Sequence, residues 1–399
     1  MEKKKVFLIC AEKSGNNIID GVLEKIKTEL GEPNFSNIDF EGIVYDDVAK
    51  KYNIKQLFSP SRLAIFGIGD ILFKIPELLD NISYTAKSII KTKPDIVISV
   101  DAYDFCFRVA KKVRQYSKKS KDNKIRNIKM LHIVAPSVWA YFPKRAKKVA
   151  KYFNHLFYLL PFEKKYFKPL ERYENKQHNI REFLTTFVGF PATFQVKNKN
   201  IQKDQQAIGI TIGSRRGEIL RHKDLILNTI MRLKMIDKNL KFYILATKET
   251  SEIITTIFGK LKNVFIINDE KEKKETIQKC ILILGKSGTN NIEIGALGTP
   301  MVIFYKTSPI TYWLGKLLAT TRLINLYNIS LNKMAIPEMI QHKANAENLT
   351  NLAIQLLSNE ALRQKQLDEI DLAIKTMQTN DKKHPIDIIA EKISCFLKN

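Results

Sequence analysis

The sequence is short of cysteine, of acidic residues and of long apolar runs. Its 399 residues hold four cysteines, Cys10, Cys106, Cys280 and Cys395. They are far apart and form no CxxC pair, which argues against a disulfide scaffold and against a cysteine zinc site. Three lie in or beside apolar runs, as buried thiols do, and the pattern predicts a reduced, cytoplasmic setting. Asp and Glu number 41 against 66 Lys and Arg, a formal net charge of +25. Beyond a solvated lysine surface, so large an imbalance favours a polyanionic partner: nucleic acid, an anionic membrane face or phosphorylated ligands. No apolar run approaches the length of a membrane span. Val6–Ala11, ended by Glu12, is too short for the core of a signal peptide. Low-complexity repeats are absent too.

What is there is a globular composition, 44% apolar and 27% charged, in a chain long enough for two domains with separate cores. The most organised stretch is Cys280–Tyr305. Ile281–Leu284 reads as a buried parallel strand, Gly285-Lys286-Ser287-Gly288-Thr289 as a small-residue loop, Asn290–Leu297 as a helix and Met301–Phe304 as a second strand. The loop of such a unit lies at the carboxyl end of its strand, where free N–H groups and the positive helix end face a bound anion. Ser-Gly-Thr also caps helices that bind nothing, so the loop alone leaves both readings open. Glu293, about one turn into the helix, can accept hydrogen bonds from sugar hydroxyls.

The same plan recurs at Val6–Cys10, with the loop Ala11–Asn17 and a helix over about 17–30. It recurs again at Ala207–Ile212, followed by Gly213-Ser214-Arg215-Arg216-Gly217-Glu218. Arg215 offers planar, bidentate donors where a diphosphate would sit. Pro94–Val100 is a strand that delivers Asp101 into the ligand crevice of a doubly wound sheet, while Asp104 suits the cap of a helix Phe105–Tyr116. Ile128–Val134 leads to Trp139 and a helix carrying Lys144, Arg145, Lys147, Lys148 and Lys151, a face for phosphates, for anionic headgroups or for water. Leu57–Ile82 is densely apolar but too interrupted to cross a bilayer. It is either a core helix or a lipid-facing one, with Phe66, Ile68, Leu72 and Phe73 on the lipid side. Phe242–Ala246 and Val264–Ile267 are further strands, and Lys197–Gln206 reads as a polar linker. Alternating strands and helices predict an α/β chain with two Rossmann-like parallel-sheet domains, 1–192 and 205–345, facing across a cleft. A helical segment, 346–399, completes it.

Seven stretches together carry a resemblance. They are Glu12-Lys13-Ser14-Gly15, Asp101-Ala102-Tyr103-Asp104-Phe105, Pro136-Ser137-Val138-Trp139-Ala140, Val188-Gly189-Phe190-Pro191, Gly213–Ile219, Ser287-Gly288-Thr289 with Glu293, and Thr307–Asn328. In order and spacing, from near Lys5 to about Gln341, they resemble the lipid-A-disaccharide synthase family, inverting glycosyltransferases of the B fold. Departures are Ala11, Asn16, Tyr103, Cys106, Phe190, Ile212 and Tyr327, where the family has Gly, Asp, Pro, Asn, His, Pro and Pro.

The resemblance implies transfer of 2,3-diacylglucosamine from its UDP donor to 2,3-diacylglucosamine 1-phosphate, with no metal and no cofactor. It implies a homodimer working on the cytoplasmic face of the inner membrane, with Thr307–Asn328 in a membrane-proximal acceptor region. It makes Asp101 the base, with Glu12 beside it, and gives Ser14, Gly15 and Asn328 to the acceptor or the reacting sugar. Ser214, Arg215, Glu218, Ser287, Gly288 and Thr289 would hold the UDP diphosphate, and Glu293 the ribose. The rival readings are a non-catalytic, membrane-associated binder of lipid phosphates, a sugar-nucleotide epimerase of the same fold, and a nucleic-acid binder. Nothing supports the last beyond charge, since the basic residues are dispersed and no reading motif is present.

Overall fold

The structure, a computed structural model, describes residues 3–63, 68–172 and 182–398, with the side chains of 68–74 outside the description. The chain divides into two compact units, Met1–Pro191 with Thr379–Asn399, and Ala192–Gln378.

The first unit holds β1 (Lys4–Cys10), β2 (Ile38–Ile43), β3 (Lys55–Gln56), β4 (Ile96–Val100), β5 (Lys129–Ile133), β6 (His155–Tyr158) and β7 (Leu184–Phe187). They form one sheet in the order β3-β2-β1-β4-β5-β6-β7, and every pairing is parallel. Val6–Cys10 and Ile96–Val100 are buried throughout, because helices cover both faces of the central strands; that explains their unbroken apolar runs. The strand order reverses direction between β1 and β4, so ligands belong outside the carboxyl ends of those two strands.

The second unit repeats the plan with β8 (Asp204–Thr211), β9 (Lys241–Leu245), β10 (Val264–Ile267), β11 (Cys280–Lys286), β12 (Met301–Tyr305) and β13 (Glu338–Ile340). Their order is β10-β9-β8-β11-β12-β13, again all parallel. Here the reversal falls between β8 and β11, where Thr211 pairs with Gly285.

Three expectations meet a different outcome. The first helix starts at Lys13 and runs to Leu30, so Ser14, Gly15 and Asn16 form its first turn and not a loop. The polar linker is pinned to the second unit: Asn198 N–H donates to Gln278 Oε1 at 2.7 Å and Asp204 already belongs to β8. The helical segment 346–399 is shared between the units. Helices Ala346–Ser358 and Glu360–Met377 lie in the second unit, whereas Pro385–Lys398 lies in the first. There Ile389, Ala390, Ile393 and Leu397 are buried, and the helix packs on Lys13–Leu30.

Leu57–Ile82 enters a helix spanning Ile68–Thr92. Phe58 and Ile82 belong to the core, and Leu57, Leu63 and Leu78 pack against it, while Ile75 and Leu79 are exposed. The lipid-side candidates fall outside the described residues: Phe66 altogether, and Ile68, Leu72 and Phe73 in their side chains. Among the described residues no helix is long and apolar enough to cross a membrane. All four cysteines are free, and Cys10, Cys106 and Cys280 are buried.

Candidate active site: two clusters at strand ends

In the first unit the cluster forms where β1 and β4 end. Gly15 is buried, and a Cβ there would stand 3.2 Å from Val100 Cγ1 and 3.3 Å from the Val100 carbonyl oxygen. Glycine therefore lets the first helical turn close onto the tip of β4. That approach brings the Ser14 hydroxyl to 3.4 Å from Asp101 Oδ2, a long donation. Asp101 Oδ1 accepts the N–H of Ala102 at 3.0 Å. Glu12 is exposed immediately before this turn.

The backbone is strained at the same edge. Asp101, Ala102 and Val134 have φ of 54°, 41° and 75°, in the left-handed region that Asp tolerates and that Ala and β-branched Val resist. Each such residue costs about 1–3 kcal/mol unless its surroundings hold it. Here the ladder holds Asp101 and Val134: Asp101 N–H donates to Ile133 O and Val134 N–H to Phe157 O, each at 3.0 Å. Both strands keep one more bond while the chain turns away, which sets the Asp101 carboxylate over the edge.

Asn16 is buried beneath this turn. Its Nδ2 donates to Asp47 Oδ1 at 3.1 Å and its Oδ1 accepts from Tyr45 N–H at 3.2 Å. Lys13 Nζ lies 2.9 Å from Asp47 Oδ2 and, foremost among several partners, holds that carboxyl below its ordinary value. An aspartate at 16 would face Asp47 carboxylate to carboxylate. Asparagine at 16 avoids that contact, and Asp47 is a cluster member that the motifs did not single out.

In the second unit the cluster forms where β8 and β11 end. Gly213 has φ of 135°, and a Cβ there would fall 2.7 Å from Glu218 Oε2; glycine lets the Glu218 carboxylate fold back over the loop. Glu218 Oε2 then accepts Ser214 N–H at 3.2 Å, and Oε1 lies 2.7 Å from Lys286 Nζ. Burial alone would raise the Glu218 carboxyl; the Lys286 ammonium reverses this, with help from Ser214 N–H and Arg215, and leaves it below its ordinary value. Arg215 occupies the N-cap position of the helix Arg216–Ile236, where its carbonyl accepts the N–H groups of Glu218 and Ile219; it is exposed, and among the described residues its guanidinium has no hydrogen bond or ion pair.

The Ser287 N–H is taken by Phe304 O at 3.0 Å, so Ser287 contributes no backbone donor. Gly288 and Thr289 remain. Glu293 faces Lys274 at 3.7 Å. His222, fully buried, accepts Lys306 N–H on Nε2 at 3.0 Å, and burial, then Lys286, pushes it down to about 4.

Asn328 corrects the expectation made for it. It is 0% exposed, and its Nδ2 donates to Ile336 O at 2.8 Å and Glu338 Oε1 at 2.7 Å. Its Oδ1 accepts the N–H groups of Ala335 and Ile336 at 2.9 and 2.8 Å. An amide so engaged has nothing left for a sugar; it holds the segment before β13. Lys286 and His222 were also missed, because neither side chain's direction can be read from a strand–loop–helix pattern.

A family model described as Lipid-A-disaccharide synthetase matches residues 6–392. The lipid-A-disaccharide synthase of Rickettsia canadensis (strain McKiel) is 33% identical over 393 residues, 98% of this chain and 97% of its own. That of Rickettsia prowazekii (strain Madrid E) is 33% identical over 398 residues, 98% of each chain. A putative UDP-N-acetylglucosamine 2-epimerase from Listeria monocytogenes superposes with a TM-score of 0.58 at 14% identity, over 98% of this chain and 95% of its own. Acinetobacter baumannii MurG does so with 0.52 at 14% identity, over 98% and 99%. At those identities the structural likeness concerns the fold alone, the two-sheet B fold. The match to the family and to its curated relatives runs nearly end to end, and on it the chain belongs to the lipid-A-disaccharide synthase family.

Proposed function

We propose that the chain transfers 2,3-diacylglucosamine from UDP to the 6-hydroxyl of 2,3-diacylglucosamine 1-phosphate, with inversion. The observation that carries this is Asp101: a carboxylate held over a strained strand edge at the switch point, with one long hydroxyl contact from Ser14. It takes the proton of the acceptor hydroxyl as the oxygen bonds to the anomeric carbon and UDP departs with the electron pair of the broken bond. Ser14 steadies the carboxylate, and Glu12 orients the acceptor from the adjacent strand end. Charge growing on the departing diphosphate meets Arg215 and the backbone donors of Gly288 and Thr289, set before the reaction begins. Glu293 takes the ribose hydroxyls.

The acyl chains of both substrates bring the reaction to a lipid surface, the cytoplasmic face of the inner membrane, with the chain as a homodimer. Helix Pro309–Leu318 supports the lipid part of this reading. It has no buried residue, and Ile310, Trp313, Leu314 and Leu317 form one stripe exposed by 82, 63, 54 and 81%. Lys306, Arg322 and Lys333 flank it in sequence and Lys316 lies within it, with no acidic residue between Glu293 and Glu338. An apolar stripe with Trp and a cationic rim suits an anionic interface.

The test is a transferase assay with the UDP-diacylglucosamine donor and the 1-phosphate acceptor, with products identified by mass. A disaccharide 1-phosphate formed together with UDP is expected. Donor left intact by protein that binds it would end the catalytic reading.

A further inference from the structure

We propose that Lys286 is a second cation for the donor diphosphate, held in place by Glu218. This rests on the reading of the β8 and β11 ends as the donor site. Lys286 is the last residue of β11, one step beyond Gly285, which pairs with Thr211 at the end of β8. It therefore stands beside the loop that carries Arg215, at the reversal point of the sheet.

Its ammonium is unevenly partnered. Nζ lies 2.7 Å from Glu218 Oε1, with both side chains 17% exposed, and 5.6 Å from the centre of the Tyr305 ring. An ammonium carries three donors; among the described residues a single carboxylate takes one of them. A cation largely withdrawn from water with donors unmatched is costly, and an anion at this edge would match them.

Glu218 is placed to hold and not to compete. Its second oxygen accepts Ser214 N–H, and the bare Gly213 lets it lie flat against the loop. It fixes the ammonium position without using its remaining donors. The neighbouring His222 supplies no charge: its Nε2 accepts Lys306 N–H, and burial, then Lys286, holds its pKa down to about 4. The charge count also asks for a second cation. A departing nucleoside diphosphate gains negative charge as its bond breaks, and Arg215 alone offers one positive charge against it.

The alternative is that the Lys286–Glu218 pair only stitches helix Arg216–Ile236 to β11. Calorimetry with UDP and with uridine separates the two. Lys286→Met should weaken UDP binding about tenfold or more, the range for a hydrogen bond to a charged group, with uridine changed less than twofold. The UDP affinity of the variant should also fall less steeply with added salt than that of the parent, since one charge contact is gone. Lys286→Arg should restore most of the loss.

Unchanged UDP affinity overturns the proposal, as does a loss shared equally by uridine, or one with unaltered salt dependence. If Arg215→Ala weakens UDP while Lys286→Met does not, the Lys286 assignment alone is wrong. If neither matters, the donor site itself is misplaced. Should Lys286→Met fail to fold because Glu218 is left unpaired, the Lys286→Met/Glu218→Gln double variant removes the stranded carboxylate, and the same comparisons decide.

Discussion

At the scale of single residues, the positions of Asp101 and Arg215, just past β4 and β8, were legible from the apolar runs before them. A carboxylate or a guanidinium just past an apolar strand lies in the crevice of a parallel sheet whatever its neighbours are. Asn328 was not legible, since a polar amide looks the same in sequence whether four protein groups engage it or none. Asp101→Asn keeps the shape of the side chain but cannot take a proton. We expect kcat to fall by about two to four orders of magnitude with UDP affinity nearly unchanged; turnover within a few-fold of the parent would remove Asp101 as base. Arg215→Ala should weaken UDP binding by about 1.5–3 kcal/mol, read by calorimetry.

Glu163 adds a dependence on pH. It is buried beside Trp139, its carboxylate accepts Leu160 N–H at 3.0 Å, and burial pushes it up to about 8 against the bonds that favour its charge. The folded chain then keeps a proton that the unfolded chain releases near the ordinary carboxyl value. Stability is full below that value and declines as pH rises towards 8, by up to about 1.4 kcal/mol per unit. Glu163→Gln should flatten this decline in denaturant titrations between about pH 5 and 8. Parallel curves for the two proteins would show that Glu163 ionises normally.

Among the elements, the strands were the easier reading. Unbroken apolar runs of four to eight residues bounded by glycine or polar residues mark buried parallel strands, and Val6–Cys10 and Ile281–Leu284 lie in β1 and β11. Helix starts were harder. Lys13–Asn16 is small and polar, and becomes a helical turn because Asp47 and the N–H of Tyr45 take up the Asn16 amide from elsewhere in the fold. Helix Pro309–Leu318 is apolar on a face that the fold leaves open, which composition alone cannot distinguish from a core helix. Exchanging Ile310, Trp313, Leu314 and Leu317 for Ser or Gln should leave thermal stability within a few degrees, because little burial is lost. Sedimentation with vesicles rich in anionic lipid should fall several-fold. Unaltered vesicle binding would leave the apolar stripe without that role.

For the whole molecule, the alternation of strand and helix already implied two parallel sheets, as found. The return of residues 379–399 to the first unit was not implied. The amphipathic pattern of Pro385–Lys398 says that one face is buried, not what covers it. Ile386 Cδ1 would be 2.6 Å from a Cβ at Gly21, so helix Lys13–Leu30 is shaped to receive it. Deleting residues 379–399 should therefore destabilise the first unit by several kcal/mol, the cost of uncovering buried Ile389 and Ile393. Hydrogen exchange should rise throughout β1, β2 and β4 and stay unchanged in β8 and β11. Equal loosening of both sheets would mean that the two units do not fold separately.

That return has a consequence for synthesis on the ribosome. The second unit is continuous in the chain and can close as soon as residue 378 is clear of the exit tunnel. The first unit, though begun earlier, waits for its last helix. At about 5–20 residues per second the delay after Pro191 is roughly 10–40 s. Through that interval the nascent chain carries an uncovered flank of the first helix around Gly21, open to chaperones or to a neighbouring nascent chain. Chains stalled before Thr379 should be cut by protease in the first unit and resist it in the second. The order of completion along this chain is the reverse of its order of emergence.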